Sequence, residues 1–180
     1  MKTKTLILSV VLLVLPFFNY AQESTESENI GYSNITEMGF QVTSPRGVAF
    51  EVTTINGICF NKKHSIGIGV GIGVNDHNTY SDATAYNPIF LNYRLYFKPG
   101  KTFSPHVNLA AGGMIAKDGG GLYSSLTAGF RAGVFSFSSG LSLFAVQREK
   151  TYQIPYEGYY TKVKDWYYPF GITIKVGFSF

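Results

Sequence analysis

Residues 64–75 read HSIGIGVGIGVN, with glycine at every second position from Gly67 to Gly73. The spacing excludes a phosphate-cradling dinucleotide loop, because G-x-G-x-x-G would need its third glycine at Ile72 or Val74. A period of two puts Ile66, Ile68, Val70, Ile72 and Val74 on one face and Ser65, Gly67, Gly69, Gly71 and Gly73 on the other. Only an extended strand sorts side chains this way. The bare glycine face leaves room for bulky side chains of a neighbouring strand, with Arg94 and Tyr96 as the expected occupants.

The same alternation recurs along the chain in segments of about ten residues separated by turn residues, which is the pattern of a transmembrane β-barrel. Met38, Phe40 and Val42 alternate with Glu37, Gly39 and Gln41, and Phe50 and Val52 alternate with Glu51 and Thr53. The glycine segment is the third. In the fourth, Ile89, Leu91, Tyr93, Leu95 and Phe97 oppose Phe90, Asn92, Arg94, Tyr96 and Lys98. The fifth sets Val107, Leu109, Ala111 and Ile115 against His106, Asn108, Ala110 and Met114, and the sixth sets Leu126, Ala128, Phe130 and Ala132 against Thr127, Gly129, Arg131 and Gly133. Residues 141–148 form a seventh segment whose facing stays open. In the eighth, Phe170, Ile172, Ile174, Val176, Phe178 and Phe180 oppose Gly171, Thr173, Lys175, Gly177 and Ser179.

Eight is an even count, as closure of an antiparallel barrel requires. The expected architecture is therefore all-β: an eight-stranded antiparallel transmembrane β-barrel. Short turns are expected at NKKH, PGKTFSP and FSFSSG on one side. SPRG, NDHNTYSDATAYNP, KDGGG and the region between Arg148 and Tyr168 fall on the other, so the two longest connections share a side.

Alternation does not say which face meets lipid, since a soluble barrel points its apolar face inward. Three features favour the membrane. The apolar face is almost free of charge, the other face mixes glycine with Glu51, Arg94, Arg131 and Lys175, and aromatics gather near strand ends. Phe60, Phe97, Phe178 and Phe180 are expected in one interfacial girdle, and Tyr86, Trp166, Tyr167 and Tyr168 in the other. A soluble secreted ligand-binding barrel is the alternative at the level of fold.

Lys2 and Lys4 precede the apolar run of residues 6–18, followed by Asn19-Tyr20-Ala21, so residues 1–21 read as a secretory signal peptide. The run is too short to span a bilayer comfortably. Residues 22–34, polar and acidic, read as a flexible leader, and residues 35–180 as the barrel. Removing the two lysines lowers the formal charge from +4 to +2, and no Lys/Arg cluster points to nucleic acid. The sole cysteine, Cys59, cannot form an internal disulfide and reads as a small packed residue.

The terminal KVGFSF resembles the carboxy-terminal assembly signal of outer-membrane proteins, carried here by Lys175, Gly177, Phe178 and Phe180. Together with INGICFNKKHSIGIGVGIGV, PIFLNYRLYFKPGKTFSPHVNLAAGG and GITIKVGFSF, it resembles the small porin-like outer-membrane β-barrels of Gram-negative bacteria, the OmpA/OmpX-type eight-stranded barrels. The resemblance covers most of the chain after Asn34. It implies a monomeric barrel in the cell outer membrane, embedded in outer-membrane lipid and inserted by the barrel-assembly machinery through its last strand. It implies little about activity, because one fold carries many roles.

Glu37, Glu51, Arg94, His106, Arg131 and Lys175 are expected to share the interior. There acids and bases can pair as a polar plug that holds the barrel's shape, or line a path for protons or small solutes. Glu51, Arg94 and Arg131 are the expected core of that network. His77, beside Asp76 and near Ser81, is the one arrangement suggesting a lipid- or peptide-cleaving outer-membrane enzyme, but nothing orients a base toward a nucleophile. No cluster has metal-ligand spacing and no cofactor is expected. In REKTYQIPYEGYYTKVKDWYY, Tyr152, Tyr156, Tyr159, Tyr160 and Trp166 mark an outward surface. It reads as interfacial aromatics on an extended hairpin turning at Glu157-Gly158, or as a site for an unidentified surface ligand. The expected role is accordingly structural, surface-interacting or that of a narrow pore, with no catalysis.

Overall fold

A computed structural model describes residues 30–44, 47–76, 84–116, 119–153 and 160–179. They form nine strands: β1 (Ile30–Ser44), β2 (Gly47–Phe60), β3 (His64–Asp76), β4 (Thr84–Tyr96), β5 (Phe103–Ala116), β6 (Gly119–Ala132), β7 (Phe135–Gln153), β8 (Tyr160–Tyr167) and β9 (Phe170–Ser179). Each strand pairs antiparallel with the next from β1 to β7. β9 lies between β7 and β1 and closes the cylinder. β8 and β9 are two parts of one wall strand interrupted at Tyr168-Pro169, so the wall has eight strands, as the alternation predicts.

Cα partners followed round the wall from Asn34 pass through Asn56, Ile68, Leu91, Ala111, Ser124, Leu143 and Phe170. They arrive at Ser44, ten residues further along the starting strand. With eight strands, a stagger of this kind tilts the strands steeply and leaves an interior just wide enough for side chains to fill.

The two faces have reversed polarity compared with a soluble barrel. Met38, Phe40, Leu91, Leu126, Ile172 and Val176 are exposed, Leu91 by 65%, while Glu37, Glu51, Arg94 and Lys175 are buried within the lumen. This is the polarity of a transmembrane barrel, and it rules out the soluble ligand-binding alternative. Phe103, Phe130 and Phe137 pack in series on the outside near the short turns, and Phe135 packs on Phe178 beside them, forming an interfacial belt. Phe97 is exposed at the same end.

Polar residues with outward register hydrogen-bond to one another or to the backbone, as hydrocarbon requires. The Asn34 amide donates to Asn56 Oδ1 at 2.8 Å, and the Tyr32 hydroxyl donates to the same oxygen. Pro88 has no N–H for the β3–β4 ladder, and Cα pairing between these strands lapses at Gly71. The Asn87 amide donates to Gly71 O at 3.2 Å and supplies the missing bond.

Three expectations are corrected. β1 begins at Ile30 and pairs Ile30 with Phe60, so residues 30–34 belong to the wall rather than to a leader. FSFSSG is no turn, because Phe135–Gly140 opens β7. The reversal is made by Gly133-Val134 alone, with Gly133 at φ +62° and Ala132 opposite Phe135. Tyr86 lies in the lumen, not in a girdle. The seventh strand, left open by the sequence, puts Ser136, Ser138, Ser142 and Phe144 inside and Phe135, Phe137, Leu141 and Leu143 outside. At the long-connection end, β7 and β8 pair from Val146 opposite Tyr167 to Gln153 opposite Tyr160. The expected hairpin extension is present in the described residues, and its tip, with Tyr156, Tyr159, Glu157 and Gly158, lies outside them. So do residues 1–29, His77, Ser81 and Phe180.

Candidate functional site: the filled lumen

The lumen is built from alternate residues of every wall strand and is filled in layers. Toward the long loops, the rings of Tyr86, Phe90, Tyr123 and Phe144 pack together, with centroids 4.9 Å apart for Phe90–Tyr123, 5.6 Å for Tyr123–Phe144 and 5.9 Å for Tyr86–Phe144. Met114 and Ala110 complete the cluster, and Ile35 and Ile55 extend it toward the short turns.

The glycine face of β3 makes this layer possible. A Cβ on Gly69 would lie 2.3 Å from the Phe90 ring, and one on Gly73 would lie 2.3 Å from the Tyr86 ring. The glycines do clear space for the adjacent strand, as expected. Their occupants are Phe90 and Tyr86 rather than Arg94 and Tyr96.

Glu51 sits under the aromatic layer. Its Oε1 accepts from Lys175 Nζ at 2.9 Å and from the Tyr123 hydroxyl at 3.0 Å, and its Oε2 accepts from the Tyr86 hydroxyl at 3.3 Å. Lys175 also donates to the Tyr123 oxygen at 3.0 Å. Two of the rings that block the lumen are thus anchored by a buried ion pair, which makes the blockage rigid. Removing one partner of such a pair costs about 3–5 kcal/mol, because the other is left uncompensated.

Arg94 Nη2 donates to Glu37 Oε1 at 2.5 Å, joining β4 to β1 across the lumen. Asn92, Asn108 and Thr127 form a chain of amide and hydroxyl bonds at 2.7 and 3.4 Å, and Ser142 donates to Gln41 at 2.9 Å. Near the short turns, Arg131 lies 5.0 Å over the Tyr96 ring and His106 meets the same ring edge-on at 5.7 Å.

All six expected lumen residues therefore lie inside the wall, but in different partnerships from those predicted. Glu51 pairs with Lys175 and Arg94 with Glu37, while Arg131 rests on an aromatic ring, so Glu51, Arg94 and Arg131 form no single network. Tyr86, Tyr123, Phe90 and Phe144, absent from the sequence-based site, fill the upper lumen. Among the assembly-signal residues, Lys175 and Gly177 face inward and Phe178 outward on β9. His64 hydrogen-bonds the Tyr93 hydroxyl at 2.8 Å on the outside near a turn. No group of three His, Cys, Asp or Glu among the described residues could hold a metal. Tyr152 and Tyr160 lie on the projecting hairpin, and Trp166 is exposed at its base, stacked with Tyr168 at 6.5 Å.

The fold and its filled interior define a small eight-stranded transmembrane β-barrel. Among solved structures, the chain is similar to the N-terminal β-barrel domain of Pseudomonas aeruginosa OprF, with 14% identity, 82% of this chain and 97% of that one covered, and a TM-score of 0.44. It is also similar to the outer membrane protein AlkL in DMPC lipid bilayers, with 10% identity, 90% and 95% coverage, and a TM-score of 0.47. No protein-family model and no curated protein sequence matches the chain.

Proposed function

We propose that the protein resides in the outer membrane as a closed barrel, and that its role is structural and surface-presenting rather than conducting or catalytic. The observation that carries this reading is the ring layer of Tyr86, Phe90, Tyr123 and Phe144, held by Glu51 and Lys175 across the lumen. An outer-membrane location is supported by the apolar exposed wall and the phenylalanine belt. Surface presentation is supported by β7 and β8, which continue as a paired hairpin beyond the last β6 partner of β7, Val146. Insertion as a monomer through β9, with Phe178 exposed at its end, fits the same picture.

The test is ion conductance of the refolded protein in a planar lipid bilayer. The expected record is silent over long times at moderate voltage. Reproducible single-channel steps would overturn the closed-lumen reading and favour a narrow pore.

A further inference from the structure

Among the described residues, the lumen carries one cation more than its carboxylates neutralise. Glu37 is taken by Arg94 and Glu51 by Lys175, whereas Arg131, on β6 beside the Gly133 turn, has no carboxylate partner. Its Nε is buried without a hydrogen-bond partner. Arg131 as a whole is half-buried, and the aromatic face supplies only part of the stabilisation that a carboxylate partner would give.

The surroundings of Arg131 are rich in unused donors. Register places Arg131 directly between Ser104 on one neighbouring strand and Ser136 on the other, and both hydroxyls are buried without partners. Arg94 Nε and Nη1 are likewise buried and unengaged, and His106, whose neutral ring carries a single N–H, adds at most one donor. These groups converge around Tyr96: Arg131 lies over its ring, His106 meets its edge, and Arg94 interacts with it electrostatically. His106 is within electrostatic reach of both guanidiniums. The remaining carboxylate oxygen nearby, Glu37 Oε2, belongs to the residue already committed to Arg94.

We propose that the short-turn end of the lumen is a binding site for a small oxyanion, phosphate or carboxylate, which serves as the counter-charge of Arg131 and accepts from Arg94, His106, Ser104 and Ser136. Water could occupy these donors but supplies no charge. An oxyanion offers several acceptor atoms and the missing negative charge together.

The site is tested by equilibrium dialysis of the refolded protein in non-ionic detergent at low ionic strength, with radiolabelled inorganic phosphate and, separately, acetate. Saturable retention of about one ion per barrel is expected. Arg131→Gln, which strands no acid, should weaken retention about tenfold or more, as loss of a charged hydrogen bond does. Arg131→Lys should keep most of it. Heat-modifiable gel migration verifies that each variant is folded. Should Arg131→Gln fail to fold, Ser136→Asp provides an internal counter-charge beside Arg131 and should abolish retention in a folded barrel. Retention of phosphate alone identifies a dianion site, and retention of acetate as well identifies a general carboxylate or phosphate site. Failure of the wild-type barrel to retain either ion, or equal retention by a folded Arg131→Gln or Ser136→Asp variant, would overturn the proposal.

Discussion

Gly69→Ala adds a single methyl group to the barrel, yet it should be among the most damaging small substitutions. The new Cβ would lie 2.3 Å from two atoms of the Phe90 ring, where carbon contacts normally fall at about 3.5–4.0 Å. The ring must retreat by roughly an ångström, and Tyr123 stands behind it at 4.9 Å, tied to Lys175 and Glu51. Overpacking of this kind costs about 1–3 kcal/mol. If the retreat also opens a Tyr123 hydrogen bond to a charged partner, about 1.5–3 kcal/mol more is at stake, so the two together cost about 2.5–6 kcal/mol. Strand propensity acts in the opposite direction, since alanine is favoured over glycine by about 0.5–1 kcal/mol. Urea titration in phosphatidylcholine vesicles, read by the fluorescence of the single tryptophan, Trp166, measures the difference. Gly31→Ala, whose Cβ would meet nothing within 4 Å, is the control and should change stability by less than about 0.5 kcal/mol. Phe90→Ala alone should cost about 3–5 kcal/mol, and adding Gly69→Ala to it should cost nothing further. The reasoning fails if Gly69→Ala is as harmless as Gly31→Ala, or if its cost persists when the Phe90 ring has been removed.

Glu51→Gln should destabilise the barrel by about 3–5 kcal/mol by leaving Lys175 buried without its carboxylate, and Glu51→Gln/Lys175→Met should recover a large part of that loss in the same titration. Strictly additive losses would contradict the pairing. At the β2–β3 reversal, Asn61 and Lys62 hold φ of 50° and 55°, and Lys63 N donates to Phe60 O at 2.9 Å, a tight turn that suits glycine in its second place. Lys62→Gly should therefore stabilise the barrel by several tenths to about 1 kcal/mol, seen as a higher urea midpoint, whereas destabilisation would show that the lysine side chain matters more than its backbone.

Much of the wall was legible because a half-buried strand writes its facing into every second residue. Arg94 and Phe90 share parity, and so do Glu37, Gly39 and Gln41, and the structure keeps each set inside. Parity also marks Tyr86 as lumenal, four residues before Phe90. Its place near a strand end made it resemble an interfacial aromatic, and that cue was misleading. The start of β7 was obscured by composition, since serine and glycine there fill the narrow lumen rather than a turn, and phenylalanine occurs on both faces of that strand. The ion pairs were beyond reach for a different reason. Glu37 and Arg94 are 57 residues apart on non-adjacent strands, and which acid meets which base depends on stagger and closure, neither of which local alternation encodes.

Pro169 divides the last wall strand. Its carbonyl accepts from Phe144 N at 3.0 Å, but the ring nitrogen has no proton to return, so the exchange between the two strands is half complete at that point. Below it β9 is pinned on both sides, by β1 and β7, up to Phe170. Above it the ladder restarts at Val146 opposite Tyr167, with β8 paired to β7. A slip, insertion or exchange of sequence in the projecting hairpin thus meets a break before it can shift the pairing of the cylinder. The molecule is in effect a rigid mount with a replaceable fitting, and foreign epitopes or binding loops grafted between Gln147 and Trp166 should vary freely while the barrel beneath keeps its register.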